Sequence, residues 1–459
     1  MNRYPTQPIA VYAQRREQLA KQVAKRGGGV VLLTAGLEVM RNRDSDYPFR
    51  SDSYFYYLTG FPEPEATLVM QVSAQGDSES VLFCREKNEE REIWDGFRYG
   101  PEQAKLQFGF AQTFSSSELT HQLEQLLSNQ VAVFFRVGAD ATLQSQIETA
   151  LQGVKAKARR GVLAPRAMMD VTVELDELRL FKQPEELDTM RKAGHISALA
   201  HRRAMLTAQP GCYEYEIEAE LLHTFRHHGS EFPAYGSIVA GGANACVLHY
   251  RANTARLQPG DLLLIDAGCE LDCYASDITR TFPVDGVFTK PQQAVYEVVL
   301  AAQNAAIEVT KPGARFNAPH QAALRVLVQG LLDLKLLAGT VDDAIETKTY
   351  QQFYMHRTGH WLGMDVHDCG SYRELDAPLG APEHEDHSRL LQPGMVMTIE
   401  PGLYIRPAPN VPEQYHHIGI RIEDDAIVTT QGCEIYTHEV PKTVAEIQAL
   451  MKQGKGASR

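Results

Sequence analysis

The sequence predicts a mixed α/β N-terminal domain over residues 1–173 and an α+β C-terminal domain over 174–445, followed by a tail at 446–459. The second domain is expected to carry a duplicated antiparallel sheet with a pseudo-twofold axis. Three observations lead there. At 459 residues the chain is long enough for two or three separate cores. Its first part alternates apolar strand patterns with amphipathic helix patterns. Its second part repeats itself. Leu257-Gln258-Pro259-Gly260 leads through an apolar run closed by Ile265 to Asp266-Ala267-Gly268, and Leu391-Gln392-Pro393-Gly394 leads through an equal run closed by Ile399 to Glu400-Pro401-Gly402, always 134 residues on.

Each element has a local reason. Residues 8–26 read as a helix with Tyr12, Leu19 and Val23 on one face, stopped by Gly27-Gly28-Gly29. Strand patterns follow at 30–33, 66–71, 80–84 and 131–135, with a helix over 117–127. The domain boundary is expected near 171–175. Pro184-Glu185-Glu186 then opens a helix, with proline and acids in the first turn where they suit the free N–H groups and the dipole. Thr289 and Pro291 start another, whose Val295, Val298, Val299 and Ala302 form a core stripe. Pro210-Gly211 and Pro312-Gly313 each end one helix and precede the next, so two helix pairs should back the curved sheet. The last residues, from Lys452, are expected to fray.

The repeat places an acid where a buried strand meets a glycine turn, twice. A buried acid is costly unless it is paired, hydrogen-bonded or bound to metal. Asp266 is followed by Asp277, which a hairpin would bring to the same face. Glu400 is followed by Glu423 in Gly419-Ile420-Arg421-Ile422-Glu423, where Arg421 and Glu423 share one face and Ile420 and Ile422 the other. Between the two units lies His356-Arg357-Thr358-Gly359-His360-Trp361-Leu362-Gly363-Met364-Asp365-Val366-His367, three imidazoles among glycines. Four carboxylates and one histidine are hard donors that suit two divalent ions such as Mn²⁺, Co²⁺ or Fe²⁺. Such a pair is a strong Lewis acid.

Bulk properties exclude several classes. A net charge of −13, with no Lys/Arg stripe among stacking aromatics, speaks against a nucleic-acid partner. No apolar stretch approaches the roughly 18 residues of a membrane span, and the N-terminus lacks a secretory apolar segment, so a cytoplasmic enzyme is expected. Seven scattered cysteines do not suit a disulfide framework, and Cys269 and Cys273 read as reduced thiols rather than zinc ligands. His384-Glu385-Asp386-His387 is not the His-Glu-x-x-His motif of zinc peptidases.

The order Asp266, Asp277, His360, Glu400, Glu423 resembles the metal site of the methionine-aminopeptidase, aminopeptidase P and prolidase superfamily, whose catalytic domain has the duplicated pita-bread fold. The His356 to Asp368 stretch, Glu400-Pro401-Gly402-Leu403-Tyr404-Ile405 and Gly419 to Asp425 most resemble the bacterial aminopeptidases P, the Xaa-Pro aminopeptidases. Asp44-Ser45-Asp46-Tyr47-Pro48-Phe49-Arg50 and Tyr57-Leu58-Thr59-Gly60-Phe61-Pro62 are similar to that family's N-terminal domain, so the likeness covers nearly the whole chain. Two departures stand out: Arg357-Thr358-Gly359 replaces a smaller triplet, and the Pro-, His- and acid-rich stretch between His367 and Arg389 is long.

The resemblance implies a dinuclear exopeptidase that removes the residue preceding a penultimate proline, with Mn²⁺ as the expected metal. It implies that Asp266 holds one ion, His360 and Glu400 the other, and that Asp277 and Glu423 bridge. It makes Glu400 the proton acceptor, with His249 and His367 stabilising the oxyanion and carrying a proton to the leaving nitrogen, and His356 beside the proline ring. Arg421 would orient carboxylates and Tyr404 would meet the tetrahedral intermediate. Trp94 would either reach a neighbouring subunit's pocket or pack in a core. A homo-oligomer, tetramer or dimer, is implied as well. Prolidase, restricted to dipeptides, is the alternative within the fold. A pita-bread protein that has become a binding scaffold is the alternative outside catalysis.

Overall fold

The opening helix runs Ile9–Lys25 and buries Tyr12, Leu19 and Val23 as its spacing requires. The computed structural model describes residues 4–378, 380 and 386–457. These divide into two compact units, Met1–Arg179 and Leu180–Arg459. In the first, one mixed sheet has the strand order Gln112–Ser115, Ser78–Cys84, Thr67–Val72, Gly29–Thr34, Ala132–Phe135, Ala167–Asp170. Its central strand pairs antiparallel with Thr67–Val72 and parallel with Ala132–Phe135. Val30, Leu32, Val69, Phe83 and Val133 form a core with the helices Leu119–Leu127 and Ala141–Ala156. The division between units falls after Arg179 rather than after residue 173. The helix Thr172–Leu180 is held to the first unit by the Tyr54 hydroxyl, which donates to Asp176 at 2.7 Å, and the Tyr57 hydroxyl, which donates to the Leu178 carbonyl at 3.1 Å.

The second unit carries the duplication. Gly260 and Gly394 both take the left-handed conformation, φ +85° and +92°, as the third residue of their Pro-Gly turns. That position disfavours any residue with a Cβ, which is why both copies use glycine. The strand Leu262–Asp266 then pairs with Thr279–Pro283, and Val396–Ile399 pairs with Asp424–Val428, both antiparallel. The helix pairs are Pro184–Thr207 with Glu214–His227 and Lys290–Val309 with Ala318–Asp333. In the third of these Val295, Val299 and Ala302 are buried, while Val298 is half-buried against that core.

The halves join where the Glu423 N–H donates to the Thr279 carbonyl at 3.0 Å and the Asp277 N–H donates to Asp425 at 3.1 Å.

The hairpin expected between Asp266 and Asp277 forms: Asp266 pairs with Thr279, Glu270 with Ala275 and Leu271 with Tyr274, one antiparallel register that puts Asp266 and Asp277 on the same face, while Cys269–Leu271 also pairs with Phe232–Pro233. One expectation needs correcting. Residues 446–457 are not a loose tail. A helix runs Val444–Ala457, with Ile447, Leu450 and Met451 buried at helical spacing in the second unit's core.

His201, on the inner face of Pro184–Thr207, is fully buried and its Nε2–H donates to the Ala267 carbonyl at 2.9 Å, next to Asp266. Burial lowers its pKa from 6.5 to about 4. Between those values the unfolded chain binds the extra proton, so stability rises with pH across that window and is lost as pH falls from 6.5 toward 4. We expect His201→Gln, which keeps a donor and cannot titrate, to remove roughly 3 kcal/mol of this acid sensitivity. Denaturant melts of the metal-free proteins at pH 7.5 and pH 4.5 check it. Equal acid sensitivity in the two proteins would refute it.

Candidate metal centre and its pocket

Asp266 ends its strand, Asp277 follows the strand Tyr274–Ala275, Glu400 follows the strand Val396–Ile399, and Glu423 lies between Ile418–Arg421 and Asp424–Val428. His360 arrives from the loop at 356–368. That loop is laid against the second strand by Gly359, where a Cβ would sit 2.1 Å from the Thr398 carbonyl oxygen. The His360 N–H donates to the Thr398 hydroxyl at 3.1 Å, and the Glu400 N–H donates to the Thr358 carbonyl at 2.8 Å.

All five predicted ligands line one cavity of about 1040 Å³. Asp277, His360 and Glu423 each offer a ligand atom within 4.8 Å of the others. Glu400 stands 3.8 Å from His360 Nε2, and Asp277 stands 3.4 Å from it. Asp266 is drawn off the tightest group. The Tyr235 hydroxyl lies between it and Asp277, 2.5 Å from Asp266 and hydrogen-bonded to both. The guanidinium of Arg421 donates to the other Asp266 oxygen at 2.7 Å.

Electrostatics test whether a metal fits. Burial raises the pKa of Asp277, pushes Glu400 up to about 7 and Glu423 well above the carboxylate range, with neighbouring acids adding to the rise. Burial opposes protonation of His360, but the hydrogen bond to Asp277 and the charge of Glu400 outweigh it, and its pKa rises to about 9. Protein atoms alone thus leave these carboxylates short of positive charge. A divalent cation supplies what is missing. His360 Nδ1–H donates to the Trp361 carbonyl at 2.9 Å, so Nε2 is the nitrogen turned to the cluster and the one that would ligate a cation after giving up its proton. Hard oxygen donors plus this imidazole fit a divalent metal.

The other predicted residues divide. His249, His356, His367 and Arg421 line the same cavity. The His367 ring lies 4.0 Å from that of His360 and is kept neutral by loss of hydration and by His360, at a pKa of about 4. His356 donates from Nδ1 to the Arg357 carbonyl at 2.7 Å, and its Nε2 meets the Tyr404 hydroxyl at 2.8 Å. Burial and the charge of Arg421 hold its pKa near 3.

Tyr404 is fully buried, is not among the lining side chains, and accepts from Arg421 at 2.8 Å. It ties Arg421 to His356 rather than facing the cavity.

Trp94 belongs to the first unit, on the helix Glu89–Asp95, and is 80% exposed, which removes the core reading.

Tyr235 is the residue that sequence reasoning missed. A lone tyrosine ahead of the first strand carries no motif. Of His384-Glu385-Asp386-His387, the first two lie outside the described residues, while Asp386 and His387 line the cavity.

Comparison with known proteins agrees with this geometry. The model for metallopeptidase family M24 matches residues 188–430, and that for the aminopeptidase P N-terminal domain matches residues 12–134. The Xaa-Pro aminopeptidase of Escherichia coli K12 is 43% identical over 96% of this chain and 97% of its own length. Human Xaa-Pro aminopeptidase 3 is 34% identical over 96% of this chain and 86% of its own. The structure of Pseudomonas aeruginosa aminopeptidase PepP matches with a TM-score of 0.93 at 46% identity, over 98% of this chain and 99% of that one. An E. coli aminopeptidase P solved with substrate matches with a TM-score of 0.93 at 42% identity, over the same shares. With both domain models matched in order and relatives alike end to end, the chain belongs to metallopeptidase family M24, in its aminopeptidase P group.

Proposed function

We propose that this chain removes the N-terminal amino acid from peptides whose second residue is proline. The observation that carries the reading is the cluster of buried acids and one imidazole at the inner end of a cavity large enough for a short peptide. Asp266, Asp277, His360, Glu400 and Glu423 would hold two divalent ions, Mn²⁺ by preference. When bound, the pair supplies Lewis acidity and a hydroxide nucleophile at neutral pH.

The chain's own groups do the rest. Glu400, at the inner end of the cavity beside His360, is suited to take a proton from the nucleophile. His249 and His367 stabilise the oxyanion and carry a proton to the leaving nitrogen. Arg421 fixes Asp266, and through Tyr404 it fixes His356, which flanks the proline ring. An Xaa-Pro bond is a tertiary amide without an N–H, so a peptidase that grips that N–H cannot use it and a dedicated pocket is required.

Met1–Arg179 serves as the N-terminal domain and Leu180–Arg459 as the catalytic one. Ile93 and Trp94, 81% and 80% exposed side by side, support a homo-oligomer in which Trp94 meets a neighbouring copy. Cys84, Cys212, Cys246, Cys269 and Cys433 are free thiols, which supports a cytoplasmic location; among the described residues no helix is long and apolar enough to cross a membrane.

The test is metal-stripped protein reloaded with Mn²⁺ and assayed on Ala-Pro and on Ala-Pro-Ala. Faster metal-dependent cleavage of the tripeptide is expected. Cleavage of the dipeptide alone would mean prolidase, and cleavage of neither would leave a scaffold.

A further inference from the structure

The cavity is polarised in a way that the metal cluster does not use. Its buried end holds Asp266, Asp277 and Glu423, while its exposed edge carries the guanidinium side chains of Arg251, Arg357 and Arg373. In a chain of net charge −13, arginines on a solvent face readily find acids, and several on this unit do: Arg191 pairs with Glu434, Arg203 with Glu220 and Arg325 with Asp342. Arg251 and Arg357 have no carboxylate partner among the described residues. Arg357 donates to the side-chain oxygen of Asn317, and Arg373 donates to the Pro378 carbonyl at 2.7 Å.

The one described acid on that edge, Asp386, accepts from the Ser388 N–H at 2.9 Å and the Asn317 amide at 3.1 Å.

The two guanidinium groups that lack a carboxylate partner among the described residues sit close in sequence to imidazoles of the pocket. Arg251 follows His249 by two residues, and Arg357 follows His356 directly. A peptide bound with its amine toward the acids therefore extends its downstream end toward two positive groups with fork-shaped donors. Three extended residues span roughly 10 Å, a reach that takes the residue after proline away from the acids and toward the edge of the cavity. Charge at the edge of a binding site steers approach and rejects the wrong sign more than it adds raw affinity.

We propose that Arg251 and Arg357 recognise a carboxylate on the peptide just downstream of proline, and that this makes the enzyme selective for peptides anionic at that end. The inference rests on the Xaa-Pro reading above. Two sources supply such a carboxylate: the free C-terminus of a tripeptide and an acidic side chain at the third position.

The experiment uses the Mn²⁺-loaded full chain with Ala-Pro-Ala, Ala-Pro-Ala-amide and Ala-Pro-Glu-amide. Wild type should prefer an anionic substrate to Ala-Pro-Ala-amide by about tenfold in kcat/KM, mostly through KM and less at high salt. In Arg251→Gln/Arg357→Gln that ratio should fall to about twofold or less, with the two Lys variants in between. Preference for Ala-Pro-Ala assigns the group to the terminus, and preference for Ala-Pro-Glu-amide assigns it to the side chain. Calorimetry of Pro-Leu against Pro-Leu-amide gives a readout without turnover, and the double variant should bind the two alike. Equal rates on all three substrates in wild type, or a ratio that survives in the double variant, would overturn the proposal. An equal loss on all three in the variant would overturn it too, since it would mark a structural role. Cleavage of none by wild type would instead sink the Xaa-Pro reading beneath it.

Discussion

Asp277→Asn is expected to lower metal-dependent kcat/KM by roughly 10³-fold or more. Replacing an outer partner of a metal ligand commonly costs 10–100-fold, and a ligand at the centre of the group should cost more. Asp277 faces His360 at 3.4 Å and accepts from Tyr235. It is also tied through its own N–H to Asp425. Asn keeps the shape and the backbone bond, while it removes the charge and exchanges one acceptor oxygen for an N–H donor.

The same change should raise the thermal stability of the metal-free protein. Burial and the neighbouring Asp266 already raise the Asp277 pKa, so its ionised form works against the fold when no cation is present. Metal content by mass spectrometry, activity and apo-protein melting together separate a ligand from a structural acid. Activity within tenfold of wild type, with full metal content, would remove Asp277 from the centre.

The second large effect is on stability. Arg280 and Asp424 are both fully buried, and the guanidinium donates to the carboxylate at 2.7 Å. Asp424 also accepts from Lys442 at 2.9 Å, from Gln303 at 3.0 Å and from Thr437 at 2.9 Å. Burial alone would raise its pKa, but Arg280 and Lys442 overcome that and hold it below the usual carboxylate range. Arg280→Met leaves the acid with the half-buried Lys442 as its one cationic partner among the described residues and should cost about 3–5 kcal/mol. Arg280→Met/Asp424→Leu should recover a good part of that loss, because the unpaired charge, rather than the missing bond, carries most of the cost. Denaturant midpoints of the two variants check the order. A single variant as stable as wild type would contradict it. Arg280 also donates to the Glu423 carbonyl at 2.6 Å, so the single variant should lose metal affinity as well.

How much could be read in advance depended on whether a feature was written in neighbouring residues. The repeated Pro-Gly turns were legible because a left-handed position admits little but glycine, and Gly260 and Gly394 both occupy it. The acids beyond each strand were legible for a similar reason: a carboxylate buried at the end of an apolar run needs a partner to meet it. Tyr235 was not, since its position between Asp266 and Asp277 is made by a loop that shares no pattern with them. Tyr404 was found as a residue but not as a buried tie, because which side of a strand faces a cavity depends on the sheet closing around it. The last helix escaped notice because Ile447, Leu450 and Met451 make a short stripe whose partner, Pro184–Thr207, lies far back in the chain.

The seam at Thr279 and Glu423 has a consequence for how such a chain changes over generations. A duplicated unit ordinarily leaves one copy as a spare, free to drift while the other is kept. Here Asp266 and Asp277 come from one copy and Glu400 and Glu423 from the other, and they converge on one cavity across a seam closed by the Glu423 N–H. Neither copy can be the spare. The sequences of the halves are free to diverge almost everywhere, as their different acids and helices show, except at the turns and strand ends that aim a carboxylate at the shared centre.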